Sequence, residues 1–118
     1  MNSDRIFVAA GGLCGAAGVA LSAAAAHAGG GNVETAASFL LMHAPVFLAA
    51  GLIGGNRVFH AGCGILLAGL LVFAGDLLMR DYAGTRLFPM AAPAGGILLI
   101  GGWLVVAASA LGRVTRAK

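Results

Sequence analysis

The chain has 118 residues, of which 60% are hydrophobic and only 9% charged, whereas a soluble domain carries roughly 25% charged residues. Its net charge of +3 is dispersed as single basic residues with no basic patch or interleaved aromatics, which argues against nucleic acid as a partner. Four membrane spans of about 20 residues with their connections occupy this length, so no separate soluble domain is expected.

Residues 6–33, 35–56, 58–75 and 87–112 contain no Asp, Glu, Lys or Arg, and about 18–20 apolar residues suffice to cross the hydrocarbon core of a bilayer. The expected fold is therefore all-α: one domain over residues 1–118 with four transmembrane helices packed as a Gly/Ala-rich bundle. Helix one is expected at about 6–27. It ends in Ala26-His27-Ala28, which has the A-x-A form of a signal cleavage site. The apolar run from Ile6 to Ala26 exceeds the 7–15 residues of a signal h-region, so the segment reads as a retained span. The glycine-rich connection from Ala28 to Thr35 breaks the helix. Helix two follows at about 36–54, with Thr35 or Asn32 as candidate caps and Glu34 at its positive end. The connection Gly54-Gly55-Asn56-Arg57 is short enough to force an antiparallel hairpin into helix three, at about 58–79. The segment from Arg80 to Pro89 leads to helix four, at about 90–111, with Pro93 in its first turn, where a missing N–H matters least.

Four crossings put Arg5, Arg57, Arg113, Arg116 and Lys118 on one side and only Arg80 and Arg86 on the other. The excess of basic residues on cytoplasmic loops then predicts that both termini are cytoplasmic.

Twenty glycines would weaken a soluble helical protein by about 1 kcal/mol each relative to Ala. In lipid, small residues instead let helix backbones approach closely. Gly11 and Gly15, then Gly18, Ser22 and Ala26, form a small-residue stripe on helix one. Gly51 and Gly55 on helix two, and Gly95, Gly96, Gly101 and Gly102 on helix four, are the other expected packing positions, with larger Leu, Ile and Val side chains facing lipid. Cys14 and Cys63 fall inside spans one and three and read as small apolar packing residues, with no metal spacing.

Asp76 follows eighteen uncharged residues, and an ionisable group at membrane depth is a functional candidate by default. Arg80 lies at i+4, and a structural ion pair near the interface is preferred to a transport carboxylate. His43 is the deepest polar side chain, about 12 Å into helix two at 1.5 Å per residue. Pro45, two positions on, frees the Leu41 carbonyl. A buried histidine hydrogen-bonded within the bundle is the preferred reading over a proton site or metal ligand. His27 and His60 lie at helix ends and read as interfacial. The three histidines differ in depth by roughly 10–15 Å at 1.5 Å per residue, whereas the two axial ligands of one haem lie at similar depth. No cofactor, metal site or catalytic residue is expected, since no nucleotide-binding, metalloprotease or nucleophile-elbow motif is present. Trp103 lies mid-helix, so its indole N–H needs a partner inside the bundle.

Several of these landmarks occur in a fixed order: a Gly/Ala-rich first helix ending Ala26-His27-Ala28-Gly29, Met42-His43-Ala44 in helix two, Val72-Phe73-Ala74-Gly75 in helix three, then Ala92-Pro93-Ala94-Gly95-Gly96 and Gly102-Trp103 in helix four. In this order the chain resembles the bacterial membrane family catalogued as domain of unknown function 423, to which eukaryotic transmembrane protein 256 is related. The resemblance covers nearly the whole chain and implies four transmembrane helices in an inner membrane, without implying an activity. The chain differs from the family pattern in having Phe39-Leu40 where a Tyr-Gln pair is usual, Pro45 where no proline stands, and Asp76 in place of Ser. Loss of Tyr and Gln removes the natural side-chain partners of His43.

The function expected from these features is that of a non-enzymatic structural or accessory subunit of a larger inner-membrane assembly, partnered by the bilayer and by other membrane subunits or a second copy. A small transporter or proton pathway using Asp76 and His43 is the rival, and a haem- or quinone-binding electron carrier follows.

Overall fold

The computed structural model describes residues 2–28 and 30–114. Arg116 and Lys118, two of the five basic residues in the orientation count, lie outside them, as does Gly29. Four helices, α1 (Ser3–Ala28), α2 (Gly31–Leu52), α3 (Arg57–Tyr82) and α4 (Ala91–Ala108), are followed by a short 3-10 turn at Ser109–Leu111. With that turn counted into the fourth, each is long and apolar enough to cross a membrane. The bundle measures 45 × 26 × 23 Å.

Two of the helices start at a cap supplied locally. The Asn2 side chain accepts the Arg5 N–H at 2.9 Å and caps α1, and the Asn56 side chain accepts the Phe59 N–H at 2.8 Å and caps α3, each satisfying an otherwise orphaned donor. Pro93 sits in the first turn of α4, as expected, and α2 runs unbroken through Pro45. The start of α2 departs from expectation. It begins at Gly31 rather than near 36, and neither Thr35 nor Asn32 caps it. Its N-cap residue, Gly30, makes no side-chain bond. The cap comes from elsewhere in the chain: the carboxylate of Asp81, in the last turn of α3, accepts the Val33 N–H at 3.1 Å and the Asn32 side-chain amide at 3.0 Å. The extra turn of α3, through Tyr82 rather than 79, is what carries Asp81 to that position.

The helices pack as two hairpins, α1 with α2 and α3 with α4, joined chiefly through α2 and α3. Glycine makes the close approaches. A Cβ on Gly11 would lie 2.7 Å from Leu48 Cγ, one on Gly18 2.6 Å from Leu41 Cγ, and one on Gly51 2.6 Å from the Asp4 carbonyl. In the second hairpin, a Cβ on Gly95 would lie 2.6 Å from Phe73 N, one on Gly102 2.9 Å from Leu66 Cγ, one on Gly62 2.8 Å from Val106 Cγ2, and one on Gly69 2.8 Å from Leu98 Cβ. No real side chain fits at such distances, so these backbones touch as only small residues allow.

Other expected packing positions need correction. Gly96 and Gly101 have nothing within 4 Å of a would-be Cβ. Gly15 does face α2, but in ordinary contact: its would-be Cβ would lie 3.9 Å from the Ala44 Cβ. Gly55 serves the turn between α2 and α3 instead of a helix interface: with Gly54 it takes a positive φ (97° and 140°), a region closed to most side chains. The physical reason lies in the spacing of the tight glycines. Gly11 and Gly18, Gly62 and Gly69, Gly95 and Gly102 are each seven apart, as are the buried Ala37 and Ala44 and then Gly51. Seven residues fall about 20° short of two turns, which keeps a long seam on one face where two helices cross at a shallow left-handed angle. Adjacent glycines such as Gly96 and Gly101 are rotated off that seam.

Inside, Phe47, Leu66, Leu70 and Cys63 are fully buried, while Leu13, Val19, Leu71, Ile97, Ile100 and Leu104 point outward. Cys14 is also buried, and both cysteines are free thiols.

Candidate functional site

Polar groups meet inside this apolar frame at three heights. At mid-bundle, α2 places His43 against α4. The imidazole is 1% exposed. Its Nδ1 donates to the Phe39 carbonyl at 2.8 Å, and its Nε2 accepts the indole N–H of Trp103 at 3.2 Å. A carbonyl can only accept and an indole N–H can only donate, so this arrangement requires the neutral tautomer protonated on Nδ1. Trp103 thus finds the partner its position demanded. The histidine turns to Phe39 rather than to the Leu41 carbonyl freed by Pro45, because helical side chains lean toward the N-terminal turn. Neither of its partners draws on the side chain at 39 or 40. The ring of Phe39 lies between His43 (6.1 Å, 19°) and Phe73 (4.7 Å, 44°). A cavity of about 270 Å³ adjoins the pair, lined among others by Met42, Phe73, Gly96 and Ile100.

One end is organised by two carboxylates of α3. Asp76 is fully buried, while Arg80, its partner, is partly exposed. Its Oδ2 accepts from Arg80 Nη2 at 2.8 Å, the i+4 pair read from the sequence. Its Oδ1 accepts the Leu87 N–H at 2.8 Å, a second bond that sequence spacing could not reveal. Asp76 therefore holds the connection between α3 and α4 against the bundle, while Asp81 caps α2 as described. Glu34 stays exposed in the first turn of α2, where the helix dipole favours a negative charge.

The opposite end is tied by Asn56 and His60. Besides capping α3, Asn56 donates its side-chain amide to the Ser109 carbonyl at 2.8 Å, fixing the end of α4. The His60 nitrogens lie 3.0 Å from the Asn56 carbonyl and 3.2 Å from the Ala50 carbonyl. His60 is half-buried, and His27 is exposed at the end of α1.

The structure does not bring the candidate residues into one centre. His43, at mid-bundle, and the Asp76–Arg80 pair, near the end of α3, form separate clusters with separate partners. Among the described residues, no three His, Cys, Asp or Glu side chains converge as a metal site would need. Asp81, Asn56, Gly62 and Gly69 were missed by the sequence reading. For the two glycines the seven-residue spacing was the available signal; for Asp81 and Asn56 there was none beyond their position at helix ends.

A family model described as protein of unknown function (DUF423) matches residues 14–96. The chain belongs to this family. The matched segment contains His43, Asp76, Arg80 and Asp81, but ends before Trp103. No curated protein and no solved structure matches the chain. The match brings no activity with it; the membrane-spanning character rests on the four long apolar helices of the chain itself.

Proposed function

We propose that this DUF423 protein is a non-enzymatic structural or accessory subunit of a larger assembly in the bacterial inner membrane. The observation that carries this reading is the complete internal use of its deep polar groups. Both nitrogens of His43 and both carboxylate oxygens of Asp76 are engaged by other parts of the same chain. Groups so occupied stabilise a bundle and are poorly placed to carry a proton or bind a solute. The outward face of α1 supports a partner role. Ala9, Gly12, Ala16, Ala20 and Ala23 are all exposed along it, and small residues permit another membrane helix to approach closely. Both termini are placed in the cytoplasm in this reading, on the excess of basic residues at that end.

Purification from native membranes in mild detergent, with mass spectrometry of co-purifying chains, tests it. A stoichiometric membrane partner, lost when Ala16→Leu and Ala20→Leu are introduced, is the expected result. The reading is overturned if the protein purifies alone and catalyses proton or solute flux in liposomes that vanishes in Asp76→Asn. A reporter fused after Lys118 should be active only as a cytoplasmic type.

A further inference from the structure

The two hairpins are built on one plan. In the first, a Cβ on Gly11 would meet Leu48 and the Ala44 carbonyl, and one on Gly18 would meet Leu41, including its backbone nitrogen. In the second, a Cβ on Gly62 would meet Val106 and the Gly102 carbonyl, and one on Gly69 the backbone nitrogen of Leu99. Gly62 and Gly69 stand fifty-one residues beyond Gly11 and Gly18. Gly102, Val106 and Leu99 stand fifty-eight beyond Ala44, Leu48 and Leu41. The seating of α3 on α4 thus repeats that of α1 on α2, down to the same backbone atoms.

The way the hairpins meet is not symmetric. A two-fold axis between them would pair α1 with α4 as it pairs α3 with α2. Instead α2 packs on α3, and among the described residues α1 and α4 share no comparable interface. The relation is head-to-tail, so α1 and α4 each keep open the face that their counterparts bury. Interfaces of this heterologous kind continue from copy to copy until they close.

The residue pattern shows the same open faces. His60 and Phe73 of α3 reach the Ala50 carbonyl and Phe39 of α2. Their counterparts at the same offsets are Ala9 and Ser22 on α1, and Ala108 and Ile97 on α4, all exposed. On α3, Cys63, Leu70, Ala74 and Leu77 are buried, whereas Gly12, Val19, Ala23 and Ala26 at the same places of α1 are exposed. On α2, Leu40 and Phe47 are buried; on α4, Leu98 is exposed and Val105 half-buried. Neither open face carries a charge at these places. Both are also slimmer than the interface they copy, with Gly12 for Cys63 and Gly101 for His43, which lets helices close tightly in lipid.

We propose that this protein assembles with further copies of itself, α1 of one copy seated on α4 of the next as α3 is seated on α2 within the chain. The step runs in the membrane plane, so every copy keeps the same orientation across the bilayer, as parallel repeats do. The proposal rests on the reading of the α1 face as an interface and names its occupant.

Cysteine cross-linking in native membranes tests it. Ala9→Cys and Ala108→Cys, on two co-expressed chains, should link on oxidation into a species of twice the chain mass, as should Ser22→Cys with Ile97→Cys. All four positions are exposed in one chain, so its fold is undisturbed, and α1 and α4 do not meet within it, so the bond joins two copies. The unaltered chain, whose own thiols are buried, is the blank. The crossed pairs, Ala9→Cys with Ile97→Cys and Ser22→Cys with Ala108→Cys, lie at opposite ends of the helices and should stay unlinked, as should each variant alone. A Cβ on Gly12 or Gly101 would meet nothing within 4 Å in one chain. Gly12→Leu or Gly101→Leu should therefore cut linking severalfold while the thermal stability of the detergent-dispersed chain holds. Failure of both matched pairs, equal linking of the crossed pairs, or self-linking of Ala9→Cys overturns the head-to-tail contact. If the matched pairs stay unlinked while a different membrane chain co-purifies in fixed ratio, self-assembly falls and the accessory role stands; if no partner of either kind is found, both fall.

Discussion

Replacing Gly95 by Ala adds one methyl group where the second hairpin is tightest. The new Cβ would lie 2.6 Å from Phe73 N, 2.8 Å from Phe73 Cβ and 2.9 Å from the Gly69 carbonyl. Two of those atoms are backbone, so no rotamer change relieves them; α3 and α4 must separate by close to 1 Å to restore ordinary contact at 3.5–4.0 Å. Overpacking of this kind destabilises by about 1–3 kcal/mol. Gly96, the next residue, has nothing within 4 Å of its would-be Cβ, and Gly96→Ala receives the same gain in helix propensity, about 1 kcal/mol. The pair therefore isolates the packing effect: Gly96→Ala should be neutral or stabilising, and Gly95→Ala less stable than it by about 1–3 kcal/mol. Fluorescence of Trp103, the single tryptophan, during denaturation in mixed micelles reads both variants. Equal stabilities would refute the seam, showing that α3 and α4 do not meet at Gly95.

Four further perturbations test the polar ties. Asp76→Asn should lower the thermal midpoint by several degrees, because an amide cannot accept from both Arg80 and Leu87. The exchange of Asp76→Arg with Arg80→Asp should fail to restore it, since the Leu87 N–H still lacks its acceptor; full recovery in a melting assay would mean the ion pair alone matters. Trp103→Phe removes the donor that His43 Nε2 accepts from and should destabilise by about 1–3 kcal/mol, with a new histidine nitrogen signal. Asp81→Ala should weaken α2 at its start by about 0.5–2 kcal/mol, seen as faster amide exchange at Val33 while the middle of the helix stays protected.

The four spans were legible because length and the absence of charge are one-dimensional properties. The Asp76–Arg80 pair was legible because i and i+4 are neighbours on any helix, and the need of Trp103 for a partner followed from its depth. What the sequence withheld was rotation. Lipid and protein interior are equally apolar, so hydropathy along α4 cannot distinguish Gly95 and Gly102, which face α3, from Gly96 and Gly101, which do not. Only the seven-residue spacing carries that information, and it becomes meaningful once the partner helix shows the same interval. The cap on α2 was withheld for a different reason. Asp81 lies 48 residues from Val33 along the chain, and no local pattern announces a cap supplied from that distance.

The division of labour between glycine contacts and polar ties bears on how the protein is made. Within the first hairpin the close approaches of α1 to α2 are made at Gly11, Gly18 and Gly51, all before residue 54. The hairpin can therefore close while the rest of the chain is still leaving the ribosome, in the N-terminal-first order of synthesis. Three connections must wait: Asp81 at the start of α2, Trp103 on His43, and His60 on Ala50. Biogenesis would then pass through a half-built species whose seam is closed, whose deepest imidazole still lacks its partner, and whose α2 frays at its first turn. That species is where insertion factors or proteases of the membrane would find a handle, and the arrival of the second hairpin removes it.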